Sequence, residues 1–450
     1  MSSIWKTKGR EFGELSGDVE CDVAIIGGGV AGLWCAYHLV KAGKKVCVLE
    51  AKFVGSGVTA GSSAILTYAH DLIYKDLGDK GEQYLKDAQN AIKSIRKIYP
   101  NLEPIKFTLF STKKKGLKNL RKEVKAYKSL GLDLEMTTEV DLPYPIRGAL
   151  EFDAFQFNPL DLINFLADEI IKGGGQIFED ARVIEAPDGE TLSVNDKTIT
   201  AKYFIVATHF PYINKLGFYW LKMYQGQNYC IAFKDKTEFC KGISYESIDE
   251  TGFEYRRVGD DILMDGVSVR VGKKSKKDKF GIMERHLSKH FGKRKEVARF
   301  VAQDCITLDR LPYAGRYSHF TDNVFVVSGF NKWGMTSSFV TAKIVTDIIL
   351  GKADDDSIYS PQRMDLVVNS VKASGHVGNV LLAFLNKIVP GPACSHMGCR
   401  MKWNRDTKTW DCPCHGSRFD KKGQLINGPA TTNLKVGCRG SCRGCASRCA

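Results

Sequence analysis

Two short boxes near one end of the chain, CSHMGC (394–399) and CPCHGS (412–417), bring together Cys394, His396, Cys412 and His415, with fifteen residues between His396 and Cys412. Thiolate sulfur and neutral imidazole nitrogen are ligands for zinc and for iron–sulfur clusters. Finger-type zinc sites usually draw a Cys pair from one box and a His pair from the other. Here each box supplies one of each. That is what a two-iron cluster needs when one iron takes two thiolates and the other takes two imidazoles. A tetrahedral zinc is the alternative reading. The second constellation is Gly27-x-Gly29-x-x-Gly32, with Glu50 eighteen residues past Gly32. In that pattern Gly27 permits a tight turn, Gly29 lets a diphosphate approach the backbone, and Gly32 lets helix and strand pack closely. The helix N-terminus faces the phosphates, and the acid accepts hydrogen bonds from a ribose diol. A merely structural glycine turn is the competing reading, and the context argues against it.

That context is strand, turn, helix, strand. CDVAIIG is a short apolar run of buried-strand type, VAGLWCAYHLVKAG has helical periodicity with Gly43 as its stop, and KVCVLE returns as a second strand ending on Glu50. A helix-rich basic stretch is expected from about 80 to 130. Residues 158–186 read as a capped helix, a Gly-rich turn and a further strand, and AKYFIVATH (201–209) as another buried strand. Short alternating runs over 215–300 predict an antiparallel sheet. NVFVVSGF (323–330) and a helix from Ser337 to Leu350 close this unit, and the polar residues 353–375 read as a linker. Strands alternating with helices at both ends of a β-rich middle imply an α/β dinucleotide-binding domain with an inserted α+β domain.

At 450 residues the chain is long enough for two or three globular units. Eight of its fourteen cysteines lie at or beyond Cys394, which points to metal or redox chemistry more than to a disulfide scaffold. The net charge of +14 gathers in 112–125, 272–279 and 292–295, without the interleaved aromatics of a base-stacking platform, so no nucleic-acid partner is expected. The N-terminus has no secretory h-region. The best apolar run, Val377 to Val389, is interrupted by Asn379, Asn386 and Lys387, so no membrane span is expected and the expected compartment is the cytosol.

The glycine fingerprint does not separate FAD from NAD. GSGVTAGSSA (55–64), FNPLDL (157–162) followed by DARVIEA (180–186), and VSGFNKWGMTSS (327–338) resemble three segments of the FAD-dependent oxidoreductases of the D-amino-acid oxidase superfamily. The resemblance implies a hydroxyl-rich loop beside the flavin, a strand residue, Val183, meeting the adenine through its backbone, and Gly334, Met335 and Thr336 near the ring. The two cysteine–histidine boxes and their flanks resemble Rieske proteins. That likeness implies a 2Fe–2S cluster on Cys394, His396, Cys412 and His415, and a disulfide between Cys399 and Cys414 joining the two loops. It further implies a Ser417 hydroxyl donating to a cluster sulfide, and Gly428-Pro429-Ala430 as a covering loop. Phe419 stands where high-potential members often carry Tyr, which implies a lower potential through one lost donor.

The expected organisation is a Rossmann-like FAD-binding oxidoreductase domain over 20–352, with inserted substrate-side segments at about 81–150 and 215–304. A linker (353–375), a small all-β Rieske domain (376–435) shorter than usual, and a Cys/Arg-rich tail (436–450) follow. Cys438, Cys442, Cys445 and Cys449 in the tail fit either a flexible basic tail or a second metal site. The whole resembles fusions of the two families and implies oxidation of an amine or amino acid at a C–N bond. Hydride would pass to FAD, then single electrons through the cluster to an acceptor protein or quinone. His70, Arg256 and Trp333 are candidates to line the substrate pocket, Arg256 as partner of a carboxylate; packing or surface roles are the other reading of each. A carrier or redox sensor without a small substrate is the rival function. A Rieske oxygenase is disfavoured because no facial-triad motif accompanies the boxes.

Overall fold

The structure is a computed structural model and describes residues 4–7, 9–213, 217–273, 278–363, 378 and 391–435. The tail cysteines, the Val377–Val389 run apart from Gly378, and most of the expected linker lie outside the described residues.

The strand Val19–Ile26 shows why the first sheet is buried on both faces. Val23 and Ile25 enter one apolar cluster while Ala24 and Ile26 enter another, all four 0–3% exposed. Burying each of Val23, Ile25 and Ile26 contributes about 1.5–3 kcal/mol. Continuous apolar runs of this kind suit a parallel sheet covered on both sides. Val324–Ser328, Lys197–Val206, Val19–Ile26, Val46–Leu49 and Gln176–Phe178 lie side by side in parallel, with Tyr313–Arg316 antiparallel at one edge and Thr191–Val194 paired to Lys197–Val206. The helix Val30–Lys41 ends as its sequence predicts. Gly43 sits at φ +78°, and the bonds Gly43 N to Val40 O and Lys44 N to Leu39 O close a Schellman motif.

The second sheet has eight strands in the spatial order Glu296–Thr307, Met223–Lys234, Asp261–Arg270, Phe253–Val258, Ile243–Ser247, Glu103–Ser111, Gly148–Gln156 and Ile65–Leu66. The stretch expected to be helix-rich does hold helices Gly81–Ile98 and Lys114–Ser129, but Glu103–Ser111 intervenes as a strand, its last five residues all buried. The expected β-rich middle likewise contains a helix, Lys279–Phe291, started by the Asp278 side chain accepting from Gly281 N at 3.0 Å. A third sheet of four short antiparallel strands, Lys402–Asn404, Thr409–Asp411, Arg418–Phe419 and Leu425–Asn427, carries the cysteine–histidine boxes. The architecture is thus α/β with an added α+β half, plus a small all-β unit.

The start of the expected linker is packed instead. Tyr359 is buried and donates to Asp87 Oδ2 at 2.9 Å, and Arg363 forms two bonds with Asp309 at 2.5 and 2.9 Å. Polar composition over 353–363 reflects this bidentate docking rather than freedom.

Candidate functional site

A single cavity of about 560 Å³ runs from the glycine turn, past the second sheet, to the small β unit. At its first end, Gly27 (φ +115°) turns so tightly that a Cβ would sit 2.5 Å from Ala207 O, and one on Gly32 would sit 1.9 Å from Gly27 O. Neither position accepts a side chain. A Cβ on Gly29 would meet only Thr59 Oγ1, at 3.5 Å, so that side of the turn is open to the cavity. The helix Val30–Lys41 begins there without a side-chain cap, and its Val30 N donates to Thr59 Oγ1 at 3.2 Å. Glu50 also lines the cavity. Its two oxygens accept from Gly28 N (2.8 Å) and Lys52 N (2.9 Å), each keeping a lone pair for a further donor, and burial raises its pKa. A tight turn, an open helix N-terminus and a fixed carboxylate together fit a dinucleotide.

Val183 borders the cavity as expected, but residues 180–186 form no strand. Asp180 at φ +47° turns the chain after Gln176–Phe178, and Ala181 N is held by Glu50 O at 2.8 Å. Gly334 and Met335 line it too. Thr336 does not; its hydroxyl donates to Thr67 O at 2.8 Å beneath the surface. The helix carrying these residues starts at Gly334, three residues before the expected Ser337, its first turn closed by Ser337 N donating to Trp333 O at 3.0 Å.

The three candidate pocket residues part company. Arg256 lines the cavity while 4% exposed, bonded through Nε to Gln156 Oε1 (3.2 Å) and through Nη2 to Phe157 O (2.8 Å). Its Nη1 has no hydrogen-bond partner among the described residues, and burial draws its pKa down to about 9. Trp333 also lines the cavity. His70 does not. It is buried behind Trp333, stacked on it at 4.8 Å, with its nitrogens at Tyr84 Oη (2.6 Å) and Thr67 O (2.8 Å). Burial holds it neutral, with a pKa near 3. The packing reading applies to His70, and its expected place in the pocket is corrected.

Residues that sequence reasoning passed over crowd the middle of the cavity: Lys332, Glu246, Glu254, Asp265 and Asp304. Lys332 lies beside the named Trp333, on a loop where Gly329, Asn331 and Lys332 all have positive φ. Asn331 holds that loop, accepting from Thr307 N (2.9 Å) and donating to Gly329 O (2.7 Å) and Arg310 O (2.9 Å). No apolar run marked Glu246 or Glu254, which lie in strands of mixed polarity, ISYES and FEYRRV.

At the far end the cavity is bordered by residues 425–431 of the small β unit. Behind them, Cys394, Cys412 and His415 are buried, and the His396 and His415 rings lie 5.1 Å apart. The Cys394 and Cys412 thiols are hydrogen-bonded to each other, which holds Cys394 down to about 7 and pushes Cys412 up. Gly398 (φ +74°) and Gly416 (φ +86°) turn the two loops around this group. Cys399 and Cys414 are joined in a disulfide. Their sulfurs come within 4.8 Å of Cys412 Sγ, but the bond removes both from the ligand set. Ser417 Oγ accepts from Ala430 N at 3.0 Å, which ties the covering loop down, and Phe419 is fully buried. Two buried thiols and two imidazoles on adjacent loops fit a mixed-ligand 2Fe–2S cluster.

This unit leans on the second sheet. Gln225 Nε2 donates to His415 O (2.6 Å) and Gly428 O (2.9 Å), while Gln303 Nε2 donates to Gly416 O (2.7 Å) and to Gln225 Oε1. Lys279 pairs with Asp406 at 3.0 Å. Phe210, which lines the cavity, has its ring 6.1 Å from that of His415.

Residues 22–348 match the family model described as FAD dependent oxidoreductase. The chain belongs to that family. Residues 380–437 match the Rieske [2Fe-2S] domain. The oxidoreductase is 30% identical to the Rieske 2Fe-2S iron–sulfur protein YhfW of Bacillus subtilis (strain 168), over 96% of this chain and 97% of that one. It is 24% identical to gamma-glutamylputrescine oxidoreductase of Escherichia coli (strain K12), over 76% and 87%. Its fold is like that of glycine oxidase from Geobacillus kaustophilus, with a TM-score of 0.65 at 19% identity, covering 78% of this chain and all of that one. The oxidoreductase is therefore an enzyme with FAD and a 2Fe–2S cluster as cofactors. Among the described residues no helix is long and apolar enough to cross a membrane.

Proposed function

We propose that this oxidoreductase oxidises an amine or amino acid at a C–N bond and delivers the electrons singly, through its cluster, to an acceptor protein or quinone. When bound, FAD supplies a two-electron hydride acceptor and the cluster a one-electron carrier. Gly27 and Gly29 with the N-terminus of Val30–Lys41 receive the diphosphate, Glu50 a ribose diol, and the Val183 backbone the adenine. Gly334 and Met335, which line the cavity, would lie beside the bound ring. Trp333 closes the substrate side and excludes water. Arg256 offers its Nη1 donor to a substrate carboxylate. Cys394 and Cys412 would hold one iron of a bound cluster and His396 and His415 the other, with Ser417 oriented by Ala430 N.

The observation that carries this reading is the continuity of one cavity from the glycine turn to residues 425–431, the loop covering the cluster ligands. Gln225 holds that loop through Gly428 O, and Gln225 and Gln303 hold the ligand loop through His415 O and Gly416 O, so no domain movement is needed to bring the two cofactor sites together. Gamma-glutamylputrescine oxidoreductase and glycine oxidase are named for amine and amino-acid substrates, which supports the substrate class. The test is an anaerobic screen of amines and amino acids against the purified holoenzyme, following flavin absorbance. Bleaching by members of either class is expected. Bleaching by NADH or a reduced ferredoxin alone would sink this reading in favour of a carrier between redox proteins.

A further inference from the structure

Three neighbouring strands of the second sheet place acids directly opposite one another. Glu246 on Ile243–Ser247 faces Glu254 on Phe253–Val258, which faces Asp265 on Asp261–Arg270. Like charges in register across strands destabilise a sheet. All three border the cavity, and Asp304 joins them from Glu296–Thr307. One cation answers them from the described residues: Lys332 Nζ lies 2.7 Å from Glu254 and 3.7 Å from Glu246. One ammonium cannot neutralise four carboxyls. Asp265 is only 8% exposed, and its Oδ1 has no hydrogen-bond partner among the described residues. Burial lifts Glu246 and Asp265 far above the carboxylate range and Asp304 to about 6. Asp71, behind the rung, adds a further negative charge against Glu246.

A folding role does not explain this arrangement, because the rung escapes repulsion only by keeping buried carboxyls protonated, and apolar side chains would make the same sheet without that cost. A metal ion does not explain it either. Among the described residues no three of these carboxylates bring oxygens within 4.8 Å of one another. An ammonium group is different, since it donates three hydrogen bonds and can bridge acids spread along a rung.

We propose that the rung Glu246–Glu254–Asp265, with Asp304, receives a second positive charge of the substrate. The preferred substrate class is then an amine bearing another ammonium, a diamine or polyamine. This rests on the amine-oxidation reading for the fate of the bound molecule, though not for its binding. Because burial keeps Glu246 and Asp265 protonated when the rung is empty, binding of a dication releases protons to solvent.

The test compares 1,4-diaminobutane with 1-aminobutane, equal in carbon chain, by anaerobic calorimetry on the holoenzyme in buffers of different ionisation enthalpy. The diamine should bind at least about tenfold more tightly, one charge-assisted contact being worth that much, and should release protons. In Asp265→Asn and Glu246→Gln, each near-isosteric, the preference should fall within about twofold. Equal affinity of the two amines, or a preference surviving in both variants, overturns the proposal. Flavin absorbance followed in the same samples separates the two claims. Selective diamine binding without bleaching by any amine upholds the rung and sinks amine oxidation. Bleaching by 1-aminobutane with no diamine preference does the reverse.

Discussion

Gln225 is the residue on which the seating of the cluster unit turns. It is 1% exposed, and its amide nitrogen serves two carbonyls of the cluster loops, His415 O and Gly428 O, while its carbonyl accepts from Gln303. Gln225→Ala removes both donors and leaves those carbonyls to face a void. Each net hydrogen bond is worth about 1 kcal/mol, and an orphaned buried carbonyl adds about 1 kcal/mol more at the low end of its range. The sum is about 3–4 kcal/mol against the docked state. If the cluster loops open locally, amide hydrogen exchange over 412–431 should quicken by roughly two to three orders of magnitude. Residues of the first sheet, such as 23–26, should keep their protection, since none of their bonds changes. Gln225→Glu should do worse than the alanine variant, because a carboxylate would face the same two carbonyls. Unchanged exchange over 412–431 in both variants would refute the idea that this glutamine holds the unit in place.

Arg256→Ala should raise KM for carboxylate-bearing substrates by about 10- to 150-fold, the range of one charge-assisted bond, with kcat little altered; steady-state kinetics on matched substrates with and without a carboxylate check it. Phe419→Tyr should raise the cluster potential by about 40 mV, a donor worth about 1 kcal/mol on a one-electron couple, read by EPR redox titration. Gly32→Ala puts a Cβ 1.9 Å from Gly27 O, a contact that backbone must yield to, so the purified variant should carry little flavin by absorbance.

Local chemistry made much of this molecule legible from its residues. The glycine turn and Gly43 require backbone conformations that glycine adopts readily, and the two cysteine–histidine boxes need only short loops to assemble. Longer-range packing was not legible. EPIKFTLFS lies between two helices in sequence, and its strand character is fixed by pairing with Gly148–Gln156 and Ile243–Ser247, a contact that periodicity over 80–130 does not reveal. His70 reads as chemistry in isolation, yet the stacking on Trp333 and the bond to Tyr84 that bury it come from distant segments. The acids Glu246, Glu254 and Asp265 read singly as surface positions. Only the register of three strands brings them into one rung. The brevity of the cluster unit was visible, and its consequence is the set of bonds from Gln225, Gln303 and Lys279 that complete it.

The central claim is that the cluster serves as the outlet of the flavin. Its most direct test is a freeze-quench EPR measurement on the holoenzyme mixed anaerobically with an amine that bleaches the flavin, with no other acceptor present. The account predicts that the signal of the reduced 2Fe–2S cluster grows as flavin absorbance falls and reaches up to one spin per chain. A flavin that bleaches fully while the cluster stays oxidised and EPR-silent would contradict it.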